Sequence, residues 1–152
     1  MNIRLATKFD NESLKKIKSF LDNKTIEERL KKQEDRKAEF LILEDEGEPI
    51  SYVLLKWEGK KTHPEYLDME DLYTKEELRG KGYATSLIKE CEKRAKERGY
   101  NKIGLAVNPD KNLNARELYE KLGYKHDGGK PYVDAVYNGV EDWVIDLEKD
   151  LY

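Results

Sequence analysis

The segment Arg79-Gly80-Lys81-Gly82-Tyr83-Ala84 has the residue types of an anion-binding turn. Glycines at 80 and 82 lack a Cβ, so the backbone there can take unusual φ/ψ values and approach a ligand closely. Successive N–H groups can then converge on one anion, and Ala84 keeps the next position small. Behind the turn, Thr85, Ser86, Leu87, Ile88 and Cys91 open an amphipathic helix. Its N-terminus offers further unpaired donors and the positive end of the helix dipole. Ala84, Leu87, Ile88, Cys91 and Ala95 repeat at helical spacing, and Gly99 follows where a C′ glycine belongs. Arg79 and Lys81 add mobile positive charge, so the anion this turn suits is a diphosphate. Two other phosphate loops do not fit. A P-loop needs four residues between its glycines and then Gly-Lys-Ser/Thr, whereas Lys81 alone separates these two; a dinucleotide fingerprint needs a third glycine where Thr85 stands.

A second motif follows: Asn112-Leu113-Asn114-Ala115-Arg116-Glu117-Leu118-Tyr119-Glu120-Lys121-Leu122-Gly123-Tyr124. Between the two motifs lies a strand-like stretch, Lys102 to Val107. The first motif resembles the acetyl-coenzyme A loop of the GNAT superfamily of N-acetyltransferases, Arg-x-x-Gly-x-Gly/Ala between a strand and a helix. The second resembles that superfamily's Asn-x-x-Ala-x-x-Leu-Tyr helix ending in Leu-Gly-aromatic. The resemblance is clearest from Tyr66 to Tyr124 and covers the rest of the chain more loosely.

The resemblance implies a single-domain α/β fold over residues 1–152, a mixed, mostly antiparallel twisted sheet of about seven strands flanked by four helices. It implies acetyl transfer from acetyl-CoA to a primary amine by direct attack, with no metal. Arg79, Gly80, Lys81, Gly82, Tyr83, Ala84 and Thr85 would hold the pyrophosphate. Leu72 and Tyr73 would meet the pantetheine arm and thioester carbonyl through their backbone. Asn112 would bond to cofactor or ordered water, or cap its helix.

Such chemistry makes definite demands. An alkylammonium has a pKa of about 10.4, so holding it neutral at pH 7 costs about 4 to 5 kcal/mol. A base and partial desolvation lower that cost, and the leaving thiolate needs a proton. Asp68, Glu70 and Asp71 cluster on the strand before the loop. Period-two alternation sends Asp68 and Glu70 to one face and Asp71 to the other unless a bulge intervenes. Resemblance to polyamine-type members points to Glu70 as general base; Asp71 is the other candidate, and both could instead attract a cationic substrate without moving protons. Tyr119 matches a tyrosine that serves as general acid in the superfamily. It also falls on the apolar stripe Ala115, Leu118, Tyr119, Leu122, where it could be a core aromatic.

The elements that must position these groups alternate without a linker. Ile3 to Ala6 reads as a strand, and Asn11 to Leu21 as a helix with Leu14, Ile17, Phe20 and Leu21 on one face. Thr25 and Glu28 form a capping box for a helix over Ile26 to Arg36. Ala38 to Leu43 and Ile50 to Trp57 read as a hairpin through Asp45-Glu46-Gly47-Glu48-Pro49. Lys60 to Glu65 is a loop, and Leu67 to Thr74 the strand feeding the glycine turn. Short strands near Tyr124 to Asp127, Tyr132 to Tyr137 and Asp142 to Leu147 complete the chain, with a turn at Asn138-Gly139. Trp57 with Glu58, and Tyr132 to Tyr137, could line the acceptor pocket or fill the core.

Composition narrows the function classes. The 152 residues are 40% charged and 38% hydrophobic, with 29 basic against 32 acidic side chains, a net charge of −3. That balance has no basic signature for nucleic acid. Cys91 alone cannot make an internal disulfide, and His63 and His126 lack a third ligand at metal spacing. No run approaches the apolar length of a membrane span and the N-terminus has no signal-peptide character, so a cytoplasmic protein is expected. A small cationic amine is the favoured acceptor. A protein or peptide amine, or an acyl-CoA-binding module without turnover, are the alternatives. The oligomeric state is open, a homodimer included.

Overall fold

The computed structural model describes all residues, 1–152. The strands are β1 (Asn2–Leu5), β2 (Ala38–Asp45), β3 (Glu48–Lys56), β4 (Leu67–Thr74), β5 (Lys102–Val107), β6 (Lys125–His126), β7 (Tyr132–Tyr137) and β8 (Val140–Asp150). The helices are α1 (Asn11–Ile17), α2 (Asn23–Glu34), α3 (Tyr83–Glu97) and α4 (Leu113–Lys121), with a 3-10 turn at Glu76–Leu78. The sheet runs β1-β2-β3-β4-β5-β8-β6, with β7 joined to β8. Only β4 and β5 pair in parallel.

Alternation along β2, β3 and β4 divides the apolar residues between two faces. Leu41, Leu43, Val53, Leu55, Leu67 and Met69 pack with Leu87, Ile88, Cys91 and Ala95 of α3, and the α4 stripe lies against the same cluster. Phe40, Ile42, Tyr52 and Leu54 meet Leu14, Ile17 and Ile26 of α1 and α2 on the opposite face. The result is three layers, helices on both sides of one sheet. Cys91 is fully buried, and burial pushes its thiol pKa up, as suits a core residue.

Two strand-to-strand turns follow the sequence closely. Glu46-Gly47 and Asn138-Gly139 each take positive φ at both residues, the geometry that matches the twist of a hairpin. The first helices differ from expectation. The α1 helix ends at Ile17, where Lys18 turns extended, so Phe20 stands outside it and is exposed rather than on its apolar face. Helix α2 starts a turn earlier than the Thr25 box implies, because Asp22 is the N-cap and accepts from the Thr25 N–H at 2.7 Å. That early cap leaves α1 no room to continue. Strand β8 also exceeds its expected length, pairing with β5 along its C-terminal half and β7 along its N-terminal half.

Candidate active site

The parallel pairing of β4 with β5 stops at Met69 opposite Leu105. Residues 70–74 of β4 continue with β3 on one side and no strand on the other. This stretch leaves one edge of β4, Leu72 included, without a ladder partner beside a gap between the strands, while the Tyr73 carbonyl accepts from the Ser51 hydroxyl of β3 at 2.7 Å. Beyond it, the 3-10 turn leads into the glycine turn, where Gly80 has φ 79° and Gly82, the N-cap of α3, has φ 88°. No acceptor in the chain takes the N–H of Gly80, Lys81, Gly82, Tyr83, Ala84 or Thr85. A Cβ at Gly80 or Gly82 would meet nothing within 4 Å, so the turn is open on its ligand side. The Tyr83 hydroxyl donates to Asp45 at 2.8 Å and pins the helix start to the β2–β3 hairpin. Successive free amides at a helix N-terminus form a receptor for phosphate oxygens.

Arg79 departs from the mobile role expected of it. Its Nε donates to the Thr74 carbonyl at 3.1 Å and its guanidinium stacks on Tyr73 at 4.9 Å, which ties it to the end of β4. Lys81 remains exposed. Asn112 is the N-cap of α4, but its side chain makes no capping bond and is exposed. Asn108 does the local work instead: its buried amide accepts from the Asp110 and Lys111 N–H groups and donates to Asp142.

The three carboxylates of β4 part company. Asp71 takes φ 54° in a bulge, where Tyr52 and Leu54 of β3 face Tyr73 and Glu70. The bulge turns Asp71 onto the same face as Glu70, against the simple alternation. There it accepts from Lys18 at 2.9 Å, Arg29 at 3.0 Å and Tyr52 at 2.7 Å. Asp68 is buried and paired with Lys60 at 2.8 Å; burial outweighs that pairing and lifts its pKa to about 6. Glu70 stays half-exposed, with the Lys56 ammonium at 3.8 Å as its one ionic neighbour. All three line a cleft of about 400 Å³ with Lys56, Lys60, Tyr132 and Asp134.

Tyr119 is half-buried against the core on the α3 side, edge-on to Tyr124 at 6.2 Å. Burial first, and the Asp71 charge second, push its pKa up to about 12. The hydroxyl therefore keeps its proton throughout the neutral range and can act as a hydrogen-bond donor.

A model of the acetyltransferase (GNAT) family matches residues 7–124. The chain belongs to that family. With it come the reaction type, acetyl transfer, and the donor, acetyl-CoA. The open glycine turn, with its row of unbonded amides, fits the diphosphate of that donor. Solved structures share the fold at low identity. An N-acetyltransferase from Staphylococcus aureus Mu50 is 19% identical with a TM-score of 0.79, covering 99% of this chain and 98% of that one. A ribosomal-protein-alanine N-acetyltransferase from Brucella melitensis is 18% identical at 0.79, covering 99% of each. The PaiA N-acetyltransferase from Thermoplasma acidophilum, solved with coenzyme A, is 18% identical at 0.72, covering 98% of each.

In this acetyltransferase the wall of the cleft is a network that sequence reading did not anticipate. Lys60 sits between Asp68 and Asp146, the latter at 3.3 Å. Tyr132 donates to Asp146 at 2.6 Å; away from the cleft lining, Tyr66 donates to Glu148 at 2.7 Å. His63, for which the sequence offered no further ligand at metal spacing, bonds Asp127 at 2.6 Å and Glu65 at 2.9 Å and lies 3.7 Å from Asp146. Burial opposes its charge, but Asp127 and Glu65 outweigh it and hold its pKa above the ordinary value. The network ties the 60–66 loop to β8 and to the segment between β6 and β7. Gly59, at φ 72°, admits no side chain here: a Cβ would come within 2.6 Å of the His63 carbonyl oxygen. Trp57 is not part of the cleft; it is buried on the α3 side, stacked on Tyr100 at 5.9 Å. Of the Tyr132 to Tyr137 segment offered for the acceptor side, Tyr132, Val133 and Asp134 do line the cleft. No helix is long and apolar enough to cross a membrane.

Proposed function

We propose that this acetyltransferase acetylates the primary amine of a small cationic acceptor, with Glu70 as the general base and Tyr119 as the donor to the departing thiolate. The observation that carries this reading is the charge left over in the cleft. Lys60 answers Asp68, and Lys18 with Arg29 answers Asp71. Glu70 has only a distant Lys56, and Asp134, on the rim, has no ion-pair partner. Desolvation first, then the Glu70 and Asp142 charges, hold the Asp134 carboxyl above its ordinary range. An ammonium entering between Glu70 and Asp134 relieves that repulsion and is steered to the base.

The backbone supports the same order of events. The free amides of residues 80–85 hold the diphosphate, and the gap beside residues 70–74 receives the arm and its thioester. Glu70, the first residue beyond the point where β4 and β5 separate, accepts the ammonium proton directly or through water. The amine attacks the thioester carbonyl, and the Tyr119 hydroxyl stabilises the leaving sulfur by hydrogen bonding. Because burial and Asp71 both oppose a phenolate, solvent must restore that proton as it is given. Asn112, with its side chain free at the head of α4, is placed to bond to the donor or an ordered water.

Release of coenzyme A across a panel of diamines, polyamines, amino acids and peptide N-termini tests the acceptor. Turnover concentrated on the di- and polycations supports the proposal; turnover on peptides alone replaces it with the second reading. That second reading, a peptide acceptor, is favoured by the exposed Val136, Tyr137, Val140 and Trp143 at the β7–β8 hairpin. Tyr119→Phe should lower kcat by about 10- to 100-fold while the Kd for acetyl-CoA changes less than about 3-fold. An unchanged kcat in that variant rejects the role given to the phenol.

A further inference from the structure

We propose that Lys56 is a self-acetylation site, modified from acetyl-CoA by the same cleft when no acceptor occupies it. The proposal rests on the acetyl-transfer reading of the cleft given above. Lys56 ends β3 directly opposite Asp68 of β4. Tyr52 and Leu54 of β3 face the α1–α2 side, and period-two alternation carries Lys56 to that side too, the side of Glu70. Its Nζ stands 3.8 Å from the Glu70 carboxylate, and its side chain is only 18% exposed. The chain thus keeps a primary amine of its own beside the residue that deprotonates acceptor amines, at the point where β4 and β5 begin to diverge.

The other cleft lysines are placed differently. Lys60 is held in the wall by two buried carboxylates, Asp68 at 2.8 Å and Asp146 at 3.3 Å. Lys61 is exposed and has no carboxylate partner within the chain. Lys56 alone combines an adjacent base with a loose contact, longer than a hydrogen bond, that the side chain can leave.

The step balances without a further reactant. The Lys56 ammonium gives one proton to Glu70, and the neutral Nζ attacks the thioester carbonyl carbon. A C–N bond forms and the C–S bond breaks. The nitrogen loses its second proton to solvent as the amide forms, the departing sulfur takes a proton by way of Tyr119, which solvent replenishes, and Glu70 releases its proton to water. The products are N-acetyl-Lys56, coenzyme A and one proton. Modification removes the only cation next to Glu70 and places an acetamide in the acceptor's path, so the cleft would report acetyl-CoA supply in the absence of acceptor by closing itself.

The test uses acetyl-CoA carrying a deuterated acetyl group, with the full chain and no acceptor, followed by peptide mass mapping over time. Label should enter Lys56 at least about 10-fold faster than Lys61, with a rate per molecule independent of protein concentration. In Glu70→Gln the label at Lys56 should fall to the Lys61 rate while Lys61 itself is unchanged, which also reports an intact fold. A diamine that is turned over should protect Lys56. Labelling of Lys56 at the Lys61 rate, a rate that rises with protein concentration, or insensitivity to Glu70→Gln each overturns the proposal. The acceptor assay run alongside separates the two ideas. Label at Lys56 without turnover of any amine keeps self-acetylation and discards the acceptor class; amine turnover without label discards self-acetylation alone. Silence in both removes the catalytic reading of the cleft together with this one.

Discussion

Gly82→Asp should weaken acetyl-CoA binding by about 100-fold or more, measured as Kd by calorimetry. Two effects act in the same direction. A carboxylate is placed at the head of α3, among the amides that no group in the chain satisfies, where it competes with the diphosphate and repels it. At about 4 Å in a partly exposed site, like charges cost on the order of 4 kcal/mol before screening. Gly82 also sits at φ 88°, where an L-residue costs about 1 to 2 kcal/mol. Because a Cβ there meets nothing within 4 Å, the variant should fold, with only that backbone strain lost from its stability. Gly82→Ala carries the strain without the charge and should weaken binding far less. If Gly82→Asp binds acetyl-CoA within a few-fold of the unaltered chain, the glycine turn is not the diphosphate receptor.

Glu70→Gln should lower kcat by about 100- to 1,000-fold with a smaller change in the Kd for acetyl-CoA, the size of effect a positioned base supplies. Asp71→Asn makes the informative contrast. Asp71 receives Lys18, Arg29 and Tyr52, and its amide replacement leaves two cations with no counter-charge in a partly buried place. One further nitrogen, Nη1 of Arg29, is already buried without a partner, so the region has no spare acceptor. Asp71→Asn should therefore cost about 3 kcal/mol of folding stability, read by urea denaturation. Glu70→Gln, half-exposed and loosely paired, should cost less than about 1 kcal/mol. The opposite pattern, activity lost with Asp71 and kept without Glu70, would assign the base to Asp71.

The alternation rule and the bulge together explain why the two neighbours behave so differently. Sequence spacing alone sent Asp71 to the far face. The left-handed residue at 71 adds a position to β4 relative to β3, and both carboxylates emerge on one side. The same sequence reading left Trp57 open between acceptor pocket and core, and gave Arg79 a mobile charge beside the diphosphate. Trp57 takes the core reading, on the α3 side, and Arg79 is anchored through its Nε to the Thr74 carbonyl and over the Tyr73 ring, so its charge is fixed in place rather than mobile. Those outcomes depend on neighbours that no local pattern specifies.

By itself the sequence determined the glycine turn, the amphipathic face of α3, the two glycine-containing hairpin turns, the strand–helix order and, through two motifs in register, the family. These are properties of contiguous residues: φ preference, period and capping act over a few positions and are written in their identity. The tertiary structure alone decided which carboxylates are free. Lys18 and Arg29 reach Asp71 from 53 and 42 residues away, His63 meets Asp127 across 64, and Asp134 faces Glu70 only because the β7–β8 hairpin leans over the cleft. A carboxylate's role is set by the charges and the water around it, and those arrive from distant elements when the core closes.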